Sequence, residues 1–279
     1  MNVVNEISSE IDFNFDSNIQ YSVCTLVSRK EEYQEMLNSF LTAGFSTNFT
    51  EFLYIDNSNG NKADAYKGLN YFLQKAKGKY IILCHQDILL NYHTLTELEN
   101  CIKQLDTIDE NWAILSNAGA SGIKDVVYRL YEPNNTFKSR GNPIQKVTSV
   151  DEHFVLVKKS ANLALSGNLN GFHLYGTDLC MIANILGYTA YVVEFHLLHK
   201  SKGNIDASFY NIKENLIKKY TSSFKGTYIQ TTCTQFFISG SNFCNAFMNK
   251  KFILFFVKNY ISIRQKVKNP GQNIDKSTW

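Results

Sequence analysis

Proline is scarce in this chain, three residues in 279, which argues against long Pro-rich linkers. Six cysteines are present, but no two are spaced as Cys-x-x-Cys, so neither a zinc ribbon nor a disulfide framework is indicated. Cys24 and Cys84 lie inside apolar runs and Cys180 in a helical pattern, as expected of reduced, buried thiols. A strong excess of either charge is also missing: the formal net charge is +3, which makes no general case for nucleic-acid binding. Residues 1–20 have no basic start and no long apolar stretch, so no secretory leader is visible and a cytoplasmic protein is expected. No Gly-x-Gly-x-x-Gly follows the first apolar run and there is no Walker A sequence. A nucleotide bound here would lack a glycine loop around its phosphates, and a metal would have to take over that work.

What is present is an alternation of short apolar runs and helical patterns. Tyr21–Val27, Phe52–Ile55, Tyr80–Cys84 and Trp112–Ser116 read as strands. Between them, 31–43, 64–76 and 94–105 carry apolar residues at helical spacing, the first two closed by Gly44 and Gly78. This order predicts an α/β fold with a mostly parallel sheet and helices on both faces, and such a sheet binds ligands beyond the carboxyl ends of its strands. Residues 117–146 read as a long irregular stretch, 147–157 as a strand, 160–165 as a short helix, and 178–186 as a helix capped by Thr177. Tyr188–Phe195 is a further strand, 207–220 and 250–266 are helical, and 227–238 is ambiguous. The expected organisation is a lead-in at 1–19, a domain at 20–205 and a mainly helical appendage at 206–279.

Three strands end in polar groups: Ser28-Arg29, Asp56-Asn57-Ser58 and His85-Gln86-Asp87. Asp87 follows a buried run directly, so its carboxylate can hold Mg²⁺ or Mn²⁺ against a diphosphate; the competing role is a turn aspartate that caps the next segment. Asp56 can accept hydrogen bonds from a ribose or a base edge.

These strand ends, together with Ala65-Tyr-Lys-Gly-Leu69 and Gly171-Phe-His-Leu-Tyr-Gly-Thr-Asp-Leu-Cys180, resemble the GT-A glycosyltransferases related to family 2. Gly187-Tyr188 and His199-Lys-Ser-Lys-Gly203 continue the likeness, which covers roughly residues 20–205. His-Gln-Asp in the Asp-x-Asp position is similar to a bacterial subgroup of surface-polysaccharide transferases. The resemblance implies a GT-A domain and inverting transfer from a nucleotide sugar, UDP-linked, to a glycan or lipid-linked glycan. It implies Ser28, Arg29, Asp56 and Ser58 in the nucleotide pocket, with His85, Gln86 and Lys67 beside it. Asp87 and His199 would bind the metal, Mn²⁺ or Mg²⁺, and His173 and Tyr175 would line the acceptor pocket. Two departures stand out. Relatives commonly carry an acid where this chain has Gly176, so the proton acceptor passes to Asp178, with Asp151 and Glu152 as substitutes. Lys67 stands where relatives often have Asn.

Two other classes stay open on the residues. A nucleotide-sugar or glycan binder of the same fold could have lost its base, as Gly176 allows. A nucleotidyltransferase would need a glycine- and basic-rich loop after the first strand, which is missing. The stretch 250–268 mixes Phe252, Ile253, Leu254, Phe255, Phe256 and Val257 with lysines. It is too short in apolar residues to span a bilayer, and peripheral membrane contact, packing on the domain and a homodimer contact are its three roles.

Overall fold

The computed structural model describes residues 18–122, 125–201, 206–230 and 234–268. Most of the lead-in, the Lys202-Gly203 end of the basic loop, Cys233 and the side chains of Lys266 and Lys268 lie outside the described residues. The chain divides into two compact units, Met1–Glu214 and Asn215–Trp279.

In chain order the first unit contains β1 (Tyr21–Val27), α1 (Lys30–Thr42), β2 (Thr50–Asp56), α2 (Ala65–Lys75), β3 (Tyr80–Cys84), β4 (Ile88–Leu89) and α3 (Leu95–Ile108). Then come β5 (Trp112–Ser116), β6 (Ala118–Ser121), β7 (Asp125–Tyr131), β8 (Phe137–Arg140), β9 (Gln145–Val147), β10 (Ser149–Val150) and β11 (Phe154–Lys158). It continues through α4 (Tyr175–Ile185), β12 (Thr189–Val192), β13 (Leu197–His199) and the start of α5 (Ala207–Ser223). The second unit holds the rest of α5, the hairpin β14 (Thr227–Gln230) and β15 (Gln235–Ile238), α6 (Asn242–Met248) and α7 (Lys251–Lys268).

The main sheet has seven strands in the order β2-β1-β3-β11-β5-β12-β9. β2, β1, β3, β5 and β12 share one direction; β11 and β9 oppose them. The α/β class and the mostly parallel sheet are therefore present. β3 and β5 are buried along their whole length, which is why Tyr-Ile-Ile-Leu-Cys and Trp-Ala-Ile-Leu-Ser read as continuous apolar runs rather than alternations. α1 presents Tyr33, Met36 and Phe40 to the core, and α3 presents Leu98, Cys101, Ile102 and Leu105. α3 starts at a capping box in which Thr94 and Glu97 satisfy each other's backbone donors. The thiols of Cys24, Cys84, Cys101 and Cys180 are buried and unbridged.

A second sheet, β10-β6-β7-β13-β4 with β8 against β7, occupies much of the stretch that reads as irregular at 117–146. The glycines there turn the chain between strands rather than marking a loop: Gly122 and Gly141 have φ of +59° and +85°. The 147–157 stretch is broken between the two sheets as β10 and β11, with residues 151–153 crossing between them. Only the turn Lys159–Ala161 of the expected helix at 160–165 forms, because Asn162 enters the left-handed region. α4 begins at Tyr175, before the expected cap Thr177, and its N-cap is Leu174 at φ +60°. The ambiguous stretch at 227–238 is the β14–β15 hairpin.

β11 decides the site. It runs antiparallel between β3 and β5, so its N-terminal side arrives at the edge where the parallel strands end. Phe154 pairs with Cys84, and His85 N–H donates to the His153 carbonyl at 3.0 Å. Residues 151–153 thus join the ends of β1 and β3.

Candidate functional site

A cleft of about 300 Å³ opens at this edge, lined in part by Ser28, Arg29, Asn57, His85, Asp87 and Phe172. Its floor is held by Gln86. The buried amide oxygen accepts from the backbone N–H groups of Ser28 and Arg29, both at 2.9 Å, and its NH₂ donates to Ser28 Oγ at 3.0 Å. Gln86 is thereby a brace between β1 and β3, with both ends of its amide engaged within the protein. Arg29 lies on the cleft lip with its guanidinium on Glu32 at 2.8 Å.

Asp87 is buried at the bottom of the cleft. β13 pairs antiparallel with β4, setting His199 opposite Ile88, and Lys200 N–H donates to the Asp87 carbonyl at 3.1 Å. This register puts His199 Nε2 at 3.6 Å from Asp87 Oδ2. Burial would raise the Asp87 pKa, but hydrogen bonds to His199 and Ser201 and the neighbouring imidazoles hold it well below the usual carboxylate range.

His85 completes the group. One ligand atom each of His85, Asp87 and His199 lies within 4.8 Å of the others. The Tyr175 hydroxyl donates its one hydrogen to the Glu152 carbonyl at 3.0 Å, so its oxygen accepts from His85 Nε2 at 2.9 Å. A neutral His85 held this way keeps its lone pair on Nδ1. Burial first, and then the charge of His199, pull its pKa down to about 4, so the ring is neutral near pH 7. One carboxylate and two imidazoles fit a divalent first-row cation, with positions left for oxygens of a ligand.

Beside this group stands His153, buried, its ring stacked on His199 with centroids 4.9 Å apart. Nδ1 faces Asp151 Oδ1 at 2.5 Å and Nε2 faces Asn117 Oδ1 at 2.9 Å. The Asn117 NH₂ donates to the Arg129 carbonyl, which fixes the amide orientation. The Asp151 side chain is 56 % exposed; its partial burial would raise the pKa, and the charge and hydrogen bonds of His153 outweigh this and keep the carboxyl far below the ordinary range.

Glu152 points to the start of α4, where its Oε1 accepts from Gly176 N–H at 3.2 Å. Burial, and then Asp151, raise its pKa to about 8. Gly176 leaves the room for this: a Cβ there would lie 2.6 Å from the Val150 carbonyl and 3.3 Å from Glu152 Cγ. Two adjacent carboxylates are therefore pushed apart in proton affinity.

Several expected site residues are elsewhere. Asp178 is fully buried; its two oxygens accept from Ser166 N–H at 2.8 Å and Ser166 Oγ at 2.6 Å, so it anchors a loop instead of meeting an acceptor. Tyr175 does line the cleft, with its hydroxyl engaged between His85 and Glu152. His173 packs on Phe209 and approaches Asp206 at 3.9 Å, off the cleft wall. Lys67 is exposed on the first turn of α2 and is not on the cleft lining, although Ala65 and Leu69 of the same helix are. Asp56 and Ser58 bond each other, and Asp56 also meets Lys30 at 3.0 Å. Those bonds hold the Asp56 carboxyl far below its usual range. The wall at this strand end comes from Asn57, whose amide organises the 57–63 turn through Lys62 and Ala63.

The sequence assigns no role to His153, Asn117 or Phe172, and marks Asn57 only as part of a polar strand end. His153 follows two acids already singled out, so its position was on view; its stacking on His199 had no sequence signal.

No protein-family model matches the chain. Similar solved structures include the mannosyltransferase PcManGT from Pyrobaculum calidifontis in complex with GDP-Man and Mn²⁺ (TM-score 0.45, 10 % identity, 75 % of this chain and 65 % of that one). Another is S. aureus TarS 1-349 in complex with UDP-GlcNAc (TM-score 0.49, 12 % identity, 72 % of this chain and 66 % of that one). The chain spans just under two thirds of the length of each. Among curated proteins, the "ATP synthase subunits region ORF 6" protein of Fuscovulum blasticum is 31 % identical over 217 residues, covering 76 % of this chain and 87 % of the relative. On that extent of identity, the chain belongs to the family of the Fuscovulum blasticum ORF 6 protein.

Proposed function

We propose that the protein is a GT-A-type inverting glycosyltransferase working in the cytoplasm on surface polysaccharide. It moves a sugar from a nucleotide-sugar donor, UDP-linked, to a glycan or lipid-linked glycan. The observation that carries this reading is the group His85, Asp87 and His199 at the bottom of the strand-end cleft. Those three residues would hold Mn²⁺ or Mg²⁺, which when bound would offset charge on the departing diphosphate.

The chain's own residues supply the rest. Asn57 and Phe172 line the wall for the nucleoside, and the Arg29 guanidinium stands at the lip where a phosphate can compete for it with Glu32. Gln86 holds the Ser28–Arg29 backbone in place for that contact. Glu152 takes the proton of the acceptor hydroxyl as its oxygen attacks the anomeric carbon, and the bond to the diphosphate breaks on the opposite side. Glu152 is preferred to Asp178 because Asp178 is fully buried on Ser166, and to Asp151 because burial raises the Glu152 carboxyl toward neutrality while His153 keeps Asp151 ionised; Glu152 stands behind the cleft residue Tyr175 at the start of α4, not on the lining itself. Asp151 keeps His153 in place against His199.

The test is release of nucleoside diphosphate from a panel of UDP- and GDP-sugars, with and without Mn²⁺ and with a glycan acceptor. Metal-dependent turnover of one donor is expected. Binding of a donor without turnover would favour the non-catalytic alternative, and binding indifferent to metal would remove the role of Asp87.

A further inference from the structure

The second unit, Asn215–Trp279, carries an aromatic surface of its own. In α7, Phe252, Phe255, Phe256, Tyr260 and Ile263 are 56 %, 61 %, 68 %, 63 % and 62 % exposed. Phe252, Phe256, Tyr260 and Ile263 recur at i, i+4, i+8 and i+11, and so share one side of the helix. Ile253, Leu254 and Val257, on the other side, are partly buried. The helix therefore turns one apolar side inward and a second, aromatic one outward. α6 adds Phe243, 78 % exposed, and Phe247, whose ring lies parallel to it at 6.3 Å.

The charges around this arc are of one sign. Residues 242–268 contain no Asp or Glu, and Lys250, Lys251, Lys258 and Arg264 are exposed beside the aromatic side. Lys250 and Lys251 stand at the start of α7, where the helix dipole disfavours cations and where the first turn has no acid to offset them. Lys250 also lies over the Phe247 ring at 5.7 Å, and with no acid in its first turn this end of the helix is left positively charged and suited to a partner of negative charge. A second copy docked on the same face would set cation against cation. Among the described residues no helix is long and apolar enough to cross a membrane. Outward aromatic side chains flanked by lysines suit the boundary between headgroups and acyl chains.

We propose that the outward aromatic face of α6 and α7 seats the protein on an anionic lipid bilayer, the aromatic rings entering the headgroup boundary and the lysines pairing with lipid phosphates. This goes beyond the cleft chemistry and stands whether or not the donor reading holds.

The experiment is co-sedimentation of the full chain with phosphatidylcholine vesicles, with and without phosphatidylglycerol. Binding is expected with the anionic vesicles alone and weakens as salt is raised. Lys250→Glu with Lys251→Glu should lower partitioning roughly thirtyfold or more, and Phe256→Ser should lower it by about tenfold. A Phe256→Trp reporter should shift its emission to the blue on anionic vesicles, and an Ile253→Trp reporter should shift less; this reading does not depend on the loss variants folding. Equal binding to both vesicle types, or to neither, overturns the proposal. So does a concentration-dependent dimer broken by Phe256→Ser in a protein that ignores vesicles, which would make the face a contact between copies.

Discussion

His199 Nε2 lies 3.6 Å from Asp87 Oδ2 because β13 and β4 pair antiparallel with His199 opposite Ile88. The two side chains belong to segments far apart in sequence, and a ladder of backbone hydrogen bonds, not a local turn, holds them together. Asp87→Asn keeps the shape and removes the charge. It should lower metal-dependent turnover of the folded protein by at least about a hundredfold, and it should also lower the thermal midpoint near pH 7, because the charge that His199 and Ser201 stabilise is gone. Steady-state kinetics beside a thermal melt checks this; a variant with near-parental turnover would end the metal role.

The choice of metal follows from the donor set. Two imidazoles and one carboxylate favour Mn²⁺ or Co²⁺ over Mg²⁺, which prefers oxygen ligands. Titration calorimetry of the apo-protein should give at least about tenfold tighter binding of Mn²⁺ than of Mg²⁺, and His199→Ala should narrow the gap.

Gln86 should act on both stability and donor binding. Gln86→Ala leaves the Ser28 and Arg29 N–H groups without their partner and should cost about 1–3 kcal/mol in urea unfolding, with a raised KM for donor. Gln86→Glu keeps an acceptor for both groups and should be the milder change.

Glu152 has a pKa of about 8 in the folded protein, above its ordinary value of 4.5. The folded state then binds more protons than the unfolded chain between these values, so this group's contribution to stability is full below 4.5 and declines as pH rises to about 8. Glu152→Gln should flatten that decline in unfolding free energy across the same range. In the parent, kcat/KM should rise with pH to an inflection near 8, and the Gln variant should lose the inflection along with most of its activity. A pH profile unchanged in the variant would return the base role to Asp151.

Asp178→Asn tests the opposite outcome. Its oxygens hold Ser166, so the substitution should destabilise the fold by about 1–3 kcal/mol and leave kcat of the folded fraction within about twofold of the parent. A loss of kcat without loss of stability would mean that Asp178 reaches the acceptor after all.

Much of the first unit is legible from local pattern. Buried strands on two-sided sheets need continuous apolar runs, and Tyr80–Cys84 and Trp112–Ser116 supply them. The helices α1 to α3 show their core faces through spacing, and Gly44 marks the end of α1; α2 instead ends at Lys75 with Ala76 as its cap, and Gly78 is where the chain passes close to the Ser22 backbone. The second sheet is much less legible. Its strands are short and glycine-bounded, and those same glycines signal a loop when read without their partners.

The sequence alone determined that polar groups stand at the ends of β1, β2 and β3, because strand periodicity and the breaks after Val27, Asp56 and Cys84 are local properties. Tertiary structure decided which of those groups share a cleft. The antiparallel entry of β11 carried Glu152 and His153 to that edge, and the β13–β4 register brought His199 to Asp87. Burial closed Asp178 over Ser166 and engaged Gln86 as a brace. Pairing partner, register and burial depend on segments distant in the chain, so no window of residues carries them.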